Sequence, residues 1–157
     1  MGISHKVKQY LDDSGVDFQI RKHAHTGSTL ESAYSAHVPA NQIAKGVLLK
    51  DEKGYVLAVL PAGNDLNIET VRYQSDRPLE LATEEELGDV FKDCSLGAVP
   101  AIGNAYALET LVDEGLLKES GLYFEAGDHE ELIYVDEPEF EKLMEGNSYQ
   151  QLSRTSF

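Results

Sequence analysis

Three short stretches of this chain carry residue types that can act on a ligand. The first is Lys45, set among Ile43, Ala44, Val47 and Leu48. An ammonium among apolar neighbours either reaches out to water along its own aliphatic stem or sits at the rim of a cleft. At a rim it needs an anion or a carbonyl oxygen to offset its lost hydration, which fits a phosphate or an ester. The second stretch is Gly97-Ala98-Val99-Pro100-Ala101-Ile102-Gly103. Small residues let backbone approach a ligand and present N–H groups to a carbonyl oxygen; the plain alternative is a turn between strands. The third is Ala126-Gly127-Asp128-His129. Its imidazole could orient or deprotonate water near neutral pH, or simply stand exposed in a hairpin loop.

Other chemistries are less well served. His23 and His25 at a two-residue spacing, together with His129, allow a metal site. No HExxH and no cysteine partners accompany them, so structural or solvent-facing histidines are the simpler reading. No GxSxG elbow appears for a serine hydrolase. Cys94 precedes Ser95 with no histidine near it in sequence, and reads as a core or half-buried thiol. Neither GxGxxG nor GKS/T occurs, so no nucleotide cofactor is expected.

The elements that must position these residues follow from periodicity. Ile3, Val7, Tyr10 and Leu11 recur at helical spacing up to Ser14-Gly15. Val16 to Ile20 alternates as a short strand, and Ser28 or Thr29 can cap a helix across Leu30–His37. Residues 44–50 and 55–60 flank Asp51-Glu52-Lys53-Gly54, which predicts a hairpin whose second strand is buried on both faces. A short helix is expected over 67–74 and an edge strand over 79–82. Thr83 with Glu86 forms a capping box opening a helix through Phe91. Strands are expected at 110–113, 122–125 and 132–135, then a closing helix over 139–146. The polar residues from 147 to 157 read as a frayed tail. Strands outnumber helices in an irregular order, so the expected fold is α+β with a mixed sheet, in one domain spanning 1–157 with its core over about 3–146.

Composition narrows the function classes. With 157 residues, 41% hydrophobic and 26% charged, the chain is ordinary for a soluble domain. No apolar run approaches membrane-spanning length, the residues from Met1 to Asp13 lack the apolar core of a secretory signal so none is expected, and one cysteine suits a reducing cytoplasm. The net charge is −15, and it is lopsided: residues 1–80 carry −1, residues 81–157 carry −14. A broad basic footprint for nucleic acid is therefore not expected, whereas the near-neutral half leaves contact with one end of a nucleic acid open. No apolar heptad is visible, so a monomer is expected.

Read in order, the motifs resemble the YbaK/prolyl-tRNA-synthetase-associated family of aminoacyl-tRNA editing domains. The residues that carry the resemblance are His25-Thr26-Gly27-Ser28-Thr29, Gln42-Ile43-Ala44-Lys45-Gly46-Val47-Leu48, Leu57-Ala58-Val59-Leu60-Pro61, Gly97-Ala98-Val99-Pro100 and Tyr123-Phe124-Glu125-Ala126-Gly127-Asp128-His129. The resemblance implies a mixed α/β fold with a central curved sheet and surrounding helices. It implies metal-free, cofactor-free hydrolysis of the ester of a mischarged tRNA, releasing an amino acid of the Ala, Ser, Cys or Pro type. Lys45 would hold the terminal adenosine phosphate or the acyl end. The loop Gly97-Ala98-Val99-Pro100 would bind the aminoacyl carbonyl, with the backbone N–H groups of its non-proline residues as donors. His129 would face the pocket, and Thr26, Ser28 and Thr29 would close its other side. Many family members have G-x-x-x-P where this chain places Pro100 one residue earlier. The implied partners are the tRNA acceptor end and an aminoacyl-tRNA synthetase. Two alternatives stand beside this reading: a binding module of the same fold without catalysis, and a metal-dependent hydrolase using His23, His25 and His129.

Overall fold

The hairpin predicted around Asp51–Gly54 is the centre of the molecule. In a computed structural model that describes residues 4–23, 32, 36–94, 98–125 and 127–155, β2 (Ile43–Asp51) and β3 (Gly54–Pro61) pair antiparallel from Ala44↔Pro61 to Asp51↔Gly54. Gly54, at φ +132°, takes the positive-φ position that a tight turn requires. β3 is apolar on both sides because both of its faces are covered, as its sequence predicts.

The sheet extends outward from this hairpin. On one side β3 pairs parallel with β6 (Glu109–Asp113), and β6 with β9 (Ser148–Gln150). On the other, β2 meets β7 (Gly121–Glu125), which continues antiparallel to β8 (Glu131–Asp136) and β1 (Gln19–Lys22). The far end of β2 pairs with the two-residue β5 (Glu80–Leu81). A separate ribbon joins β4 (Asn64–Leu66) to β10 (Ser153–Thr155). The architecture is α+β with a mixed sheet, as expected.

Alternation along β2 divides the core. Ala44 and Leu48 join Leu57, Val59, Phe124, Ile133 and Phe140 on the face covered by α1 (His5–Ser14), α3 (Glu84–Val90) and α4 (Glu137–Leu143). Full burial of one such aromatic or leucine contributes about 1.5–3 kcal/mol. Ile43 and Leu49 lie on the opposite face, in two smaller clusters: Ile43 with Ala36, Val38, Ala62 and Leu132, and Leu49 with Leu60, Val71 of α2 (Ile68–Ser75), Leu79 and Leu152.

Local chemistry at the helix ends follows the sequence closely. The Thr83–Glu86 capping box is formed in both directions, and Gly15 closes α1 in the left-handed conformation. Two expectations are corrected. The strand expected over Val16–Ile20 begins only at Gln19, because Val16 is buried in the main core while Asp17 N–H donates to Glu139 of α4. The tail expected to fray supplies β9 and β10, and Leu152 between them is fully buried. Of the helix expected across Leu30–His37, the described part is Ser32, which is helical, and the turn at Ala36–His37, whose Ala36 N–H donates to Ser32 C=O. No helix among the described residues is long and apolar enough to cross a membrane.

Candidate functional site

β2 changes neighbours along one edge, and between the two neighbours lies a slot, a short stretch with no strand partner on that edge among the described residues. Its parallel pairing with β7 ends at Ala44↔Phe124, and its pairing with β5 starts at Leu49↔Leu81. Among the described residues no strand pairs with Lys45, Gly46 or Val47 on this edge. Crevices where neighbouring strands part are where sheet proteins commonly bind ligands. Lys45 sits at the start of this opening.

Lys45 is half-buried at the seam between the two smaller clusters, opposite Leu60. Burial lowers the pKa of its ammonium, and the carboxylate of Asp65 in β4 partly restores it. A cation held in this way gains from a ligand that brings negative charge or a carbonyl oxygen.

Gly46, the next residue, faces the other side of the sheet and lets a loop close down. A Cβ built there would lie 3.1 Å from Leu57 Cδ1, 3.2 Å from Val99 Cγ1 and 3.5 Å from the Pro100 carbonyl oxygen. The Ala98–Pro100 segment therefore packs directly on β2 at the residue after Lys45, on the opposite face of the sheet, with Ala98, Val99 and Pro100 all buried. Gly97 lies outside the described residues, as do Thr26, Ser28, Thr29 and His25.

The third stretch follows β7. Gly127 has φ +110°, and a Cβ there would sit 3.1 Å from Ser4 Cβ and 3.3 Å from Cys94 Sγ. This loop thus touches the chain just before the Ala98–Pro100 segment. A polar network stiffens the contact. Ser4 Oγ donates to Asp93 Oδ2 at 2.6 Å and Tyr106 OH to Asp93 Oδ1 at 2.8 Å, while Cys94 Sγ lies 3.3 Å from Tyr106 OH. Burial pushes the Asp93 carboxyl up, but hydrogen bonds from Ser4, Tyr106, Lys6 N–H and Cys94 outweigh it and hold it at about 2. Burial pushes the Cys94 thiol up to about 11, so it is a half-buried, unreactive group, as its sequence setting predicts.

His129 is 2% exposed, not a solvent-facing loop histidine, and its φ of +58° is left-handed. Asp128 fixes that conformation: its Oδ1 accepts from Glu130 N–H at 2.9 Å and Glu131 N–H at 3.0 Å. His129 Nδ1 lies 3.6 Å from Oε1 of Glu125, the last residue of β7. Glu125 is fully buried; burial raises its pKa, while Ser32, His129 and His23 pull it back. Tyr123 pairs with Ile43, so two residues further on Glu125 and Lys45 share one face of the sheet.

Sequence reasoning picked out Lys45, the loop Gly97–Pro100 and His129; Lys45 and, through Gly46, Ala98–Pro100 lie on opposite faces of β2, and His129 lies beside Glu125 at the end of β7. Sequence reasoning missed Glu125. The signal for it was present: one acidic residue closes the apolar run Leu122-Tyr123-Phe124, four residues before His129. His23 and His129 both act on Glu125, but no group of three His, Cys, Asp or Glu among the described residues is arranged to hold a metal.

Comparison with solved structures places this fold among known ones. A candidate trans-editing enzyme for prolyl-tRNA synthetase superposes with a TM-score of 0.83 at 24% identity, covering 96% of each chain. A hypothetical protein matches with a TM-score of 0.83 at 22% identity, over 96% of this chain and 100% of its own. A candidate signal transduction protein from Marinobacter aquaeolei VT8 matches with a TM-score of 0.77 at 18% identity over 94% of this chain, which spans 30% of that longer protein. None of the curated proteins matches. The model of the aminoacyl-tRNA editing domain matches residues 23–143, from His23 through the hairpin, the slot and His129 to the end of α4, and the chain belongs to that family.

Proposed function

We propose that the protein is a trans-acting aminoacyl-tRNA deacylase that hydrolyses the ester of a tRNA mischarged with a small amino acid of the Ala, Ser, Cys or Pro type, without a metal ion. The observation that carries this reading is the half-buried ammonium of Lys45 at the unpaired edge of β2, one residue from Gly46, against whose opposite face the Ala98–Pro100 segment packs closely. The terminal adenosine and its ester enter the slot, and Lys45 holds the phosphate or the acyl oxygen. Backbone N–H groups of the 97–100 segment stabilise the oxyanion as water adds to the carbonyl carbon. The bond to the ribose oxygen then breaks, that oxygen takes up a proton, and the free amino acid leaves. Thr26, Ser28 and Thr29 close the opposite side of the pocket.

The strongly acidic second half of the chain repels the tRNA body, so recognition concentrates on the acceptor end or is shared with a synthetase partner. The experiment is a panel of tRNAs charged with Ala, Ser, Cys or Pro, incubated with the protein in a chelator. Release of one or two of these amino acids, unaffected by chelation, is the expected result. Binding of every charged tRNA without release would point instead to a non-catalytic module. Activity lost on chelation and restored by Zn²⁺ would point to a metal enzyme.

A further inference from the structure

We propose that Lys118 and Arg154, which line one cavity beside the β4–β10 ribbon, bind phosphates of the RNA strand whose end enters the slot at Lys45. The inference rests on the reading of a tRNA acceptor end as the partner and adds a binding surface to it.

The acidic half of the chain, residues 81–157, holds four basic side chains: Lys92, Lys118, Lys142 and Arg154. Lys142 pairs with Glu139 at 3.3 Å. Lys118 and Arg154 are exposed, and among the described residues neither makes an ion pair or a side-chain hydrogen bond. Both line one cavity of about 520 Å³, Lys118 from the end of the short 3-10 helix Glu114–Lys118 and Arg154 from β10. Two carboxyl groups share that cavity. Asp113 is buried and spent within the protein: it accepts from Gly115 N–H at 2.7 Å, from Leu152 N–H at 3.3 Å and from Ser153 Oγ. Glu114 is exposed, where water and salt screen it. The two cationic heads are therefore the donors left for a ligand, and an anion with several oxygens can accept from both.

The position of the cavity ties it to the slot. Lys45, Val47 and Leu49 share one face of β2. Val47 and Leu49 pack in the cluster that also holds Leu152 and, from β4, Leu66. The C-terminal segment and its ribbon thus cover the face of the sheet that carries Lys45. Asp65 stands directly across the ribbon from Arg154, and Cβ atoms in such pairs lie about 5 Å apart. The same carboxylate acts on the ammonium of Lys45, so one acid group stands near both cations. An RNA strand whose terminal ester reaches Lys45 can lay its preceding phosphates along the ribbon toward Arg154 and Lys118. Arg154 offers a planar fork for phosphate oxygens and Lys118 a point charge. The rest of the acidic half repels the strand and confines it to this path. Arg154 lies beyond residue 143, where the match to the editing-domain family ends.

The probe is an uncharged RNA minihelix ending in single-stranded CCA, labelled with fluorescein, titrated with the whole chain and read by anisotropy. Arg154→Gln and Lys118→Gln are compared with Lys92→Gln, which removes the same charge just after α3, on the other face of the sheet. Each lost phosphate contact should lower the slope of log Kd against log salt by about 0.7, a weakening of about fivefold at about 0.1 M salt. Lys92→Gln should bind as wild type does. Activity supplies a second arm. On the charged tRNA that is hydrolysed, each cavity variant should raise KM about fivefold with kcat within about twofold. On the same amino acid esterified to adenosine alone, which has no phosphate, both should match wild type. Absence of minihelix binding by wild type, or cavity variants that bind with the wild-type slope, overturns the proposal. So does binding of polyglutamate in place of the minihelix, lost in the same variants, which would assign the cavity to an acidic protein. A protein that binds the minihelix as expected but releases no amino acid loses the deacylase reading and keeps this surface; a working deacylase indifferent to both substitutions on tRNA loses this surface alone.

Discussion

Gly46→Ala tests whether the packing of the Ala98–Pro100 segment on β2 matters to catalysis. The added methyl would meet Leu57 Cδ1 at 3.1 Å and Val99 Cγ1 at 3.2 Å, each tighter than an ordinary contact by a few tenths of an ångström. Both neighbours are methyl groups that can yield, so the cost belongs at the low end of the 1–3 kcal/mol typical of overpacking. The lost flexibility of the unfolded chain returns about 0.4–1 kcal/mol, and the net change in stability is expected to be under about 1 kcal/mol. Catalysis is more demanding. Leu57 and Val99 both belong to the main core, but Leu57 is fully buried within a paired strand while Val99 lies at its margin outside any strand, so Val99 is the freer partner, and its segment moves away from β2. A misplacement near 1 Å costs on the order of 100-fold, so a shift of a few tenths should lower kcat by about 5- to 20-fold. Gly88→Ala is the control: it lies in α3 with open space around its Cβ, and should raise stability slightly without touching activity. Paired urea melts and initial rates on the hydrolysed ester decide the matter. Unchanged kcat in a folded Gly46→Ala protein would show that the segment's seat on β2 is irrelevant to the reaction.

Two further outcomes are open to direct measurement. Leu152→Ala removes a fully buried side chain from the cluster around Leu49, Leu60 and Val71, and should cost about 2–4 kcal/mol in urea unfolding; a change under about 0.5 kcal/mol would return the C-terminal residues to a frayed tail. Asp51 is held at about 2 chiefly by its paired hydrogen bonds from Arg77, at 2.6 and 2.7 Å. Its folded pKa is below the unfolded value near 3.9, so the stabilisation is complete above about pH 5 and disappears as pH falls through about 2. Asp51→Asn should therefore be less stable than wild type at pH 7, with the gap narrowing as the pH approaches 2; a gap constant with pH would contradict the pairing.

The parts of this fold legible in the sequence are those that local chemistry decides. The Asp51–Gly54 turn between two apolar runs specifies the hairpin, and Thr83 with Glu86 specifies where α3 begins. What the sequence hides is set by pairing at a distance. Gln19–Lys22 is exposed along its length and becomes a strand only because β8 offers an edge. Ser148–Gln150 and Ser153–Thr155 carry no apolar alternation and are ordered by β6 and β4. The site divides the same way. Lys45, the small-residue segment and His129 stand out by type and spacing. Glu125 looks like an ordinary strand end until the register of β7 on β2 and the return of the loop put it beneath His129.

The central claim is that the ammonium of Lys45 works on an aminoacyl ester. The most direct test is single-turnover release of the amino acid from the charged tRNA panel by wild type and by Lys45→Met, which keeps the aliphatic stem and removes the charge, both in chelator. The account predicts release by wild type that falls at least 100-fold in Lys45→Met, with the variant unfolding in urea as wild type does. Equal release by the two proteins, or none by a folded wild type across the panel, would contradict it.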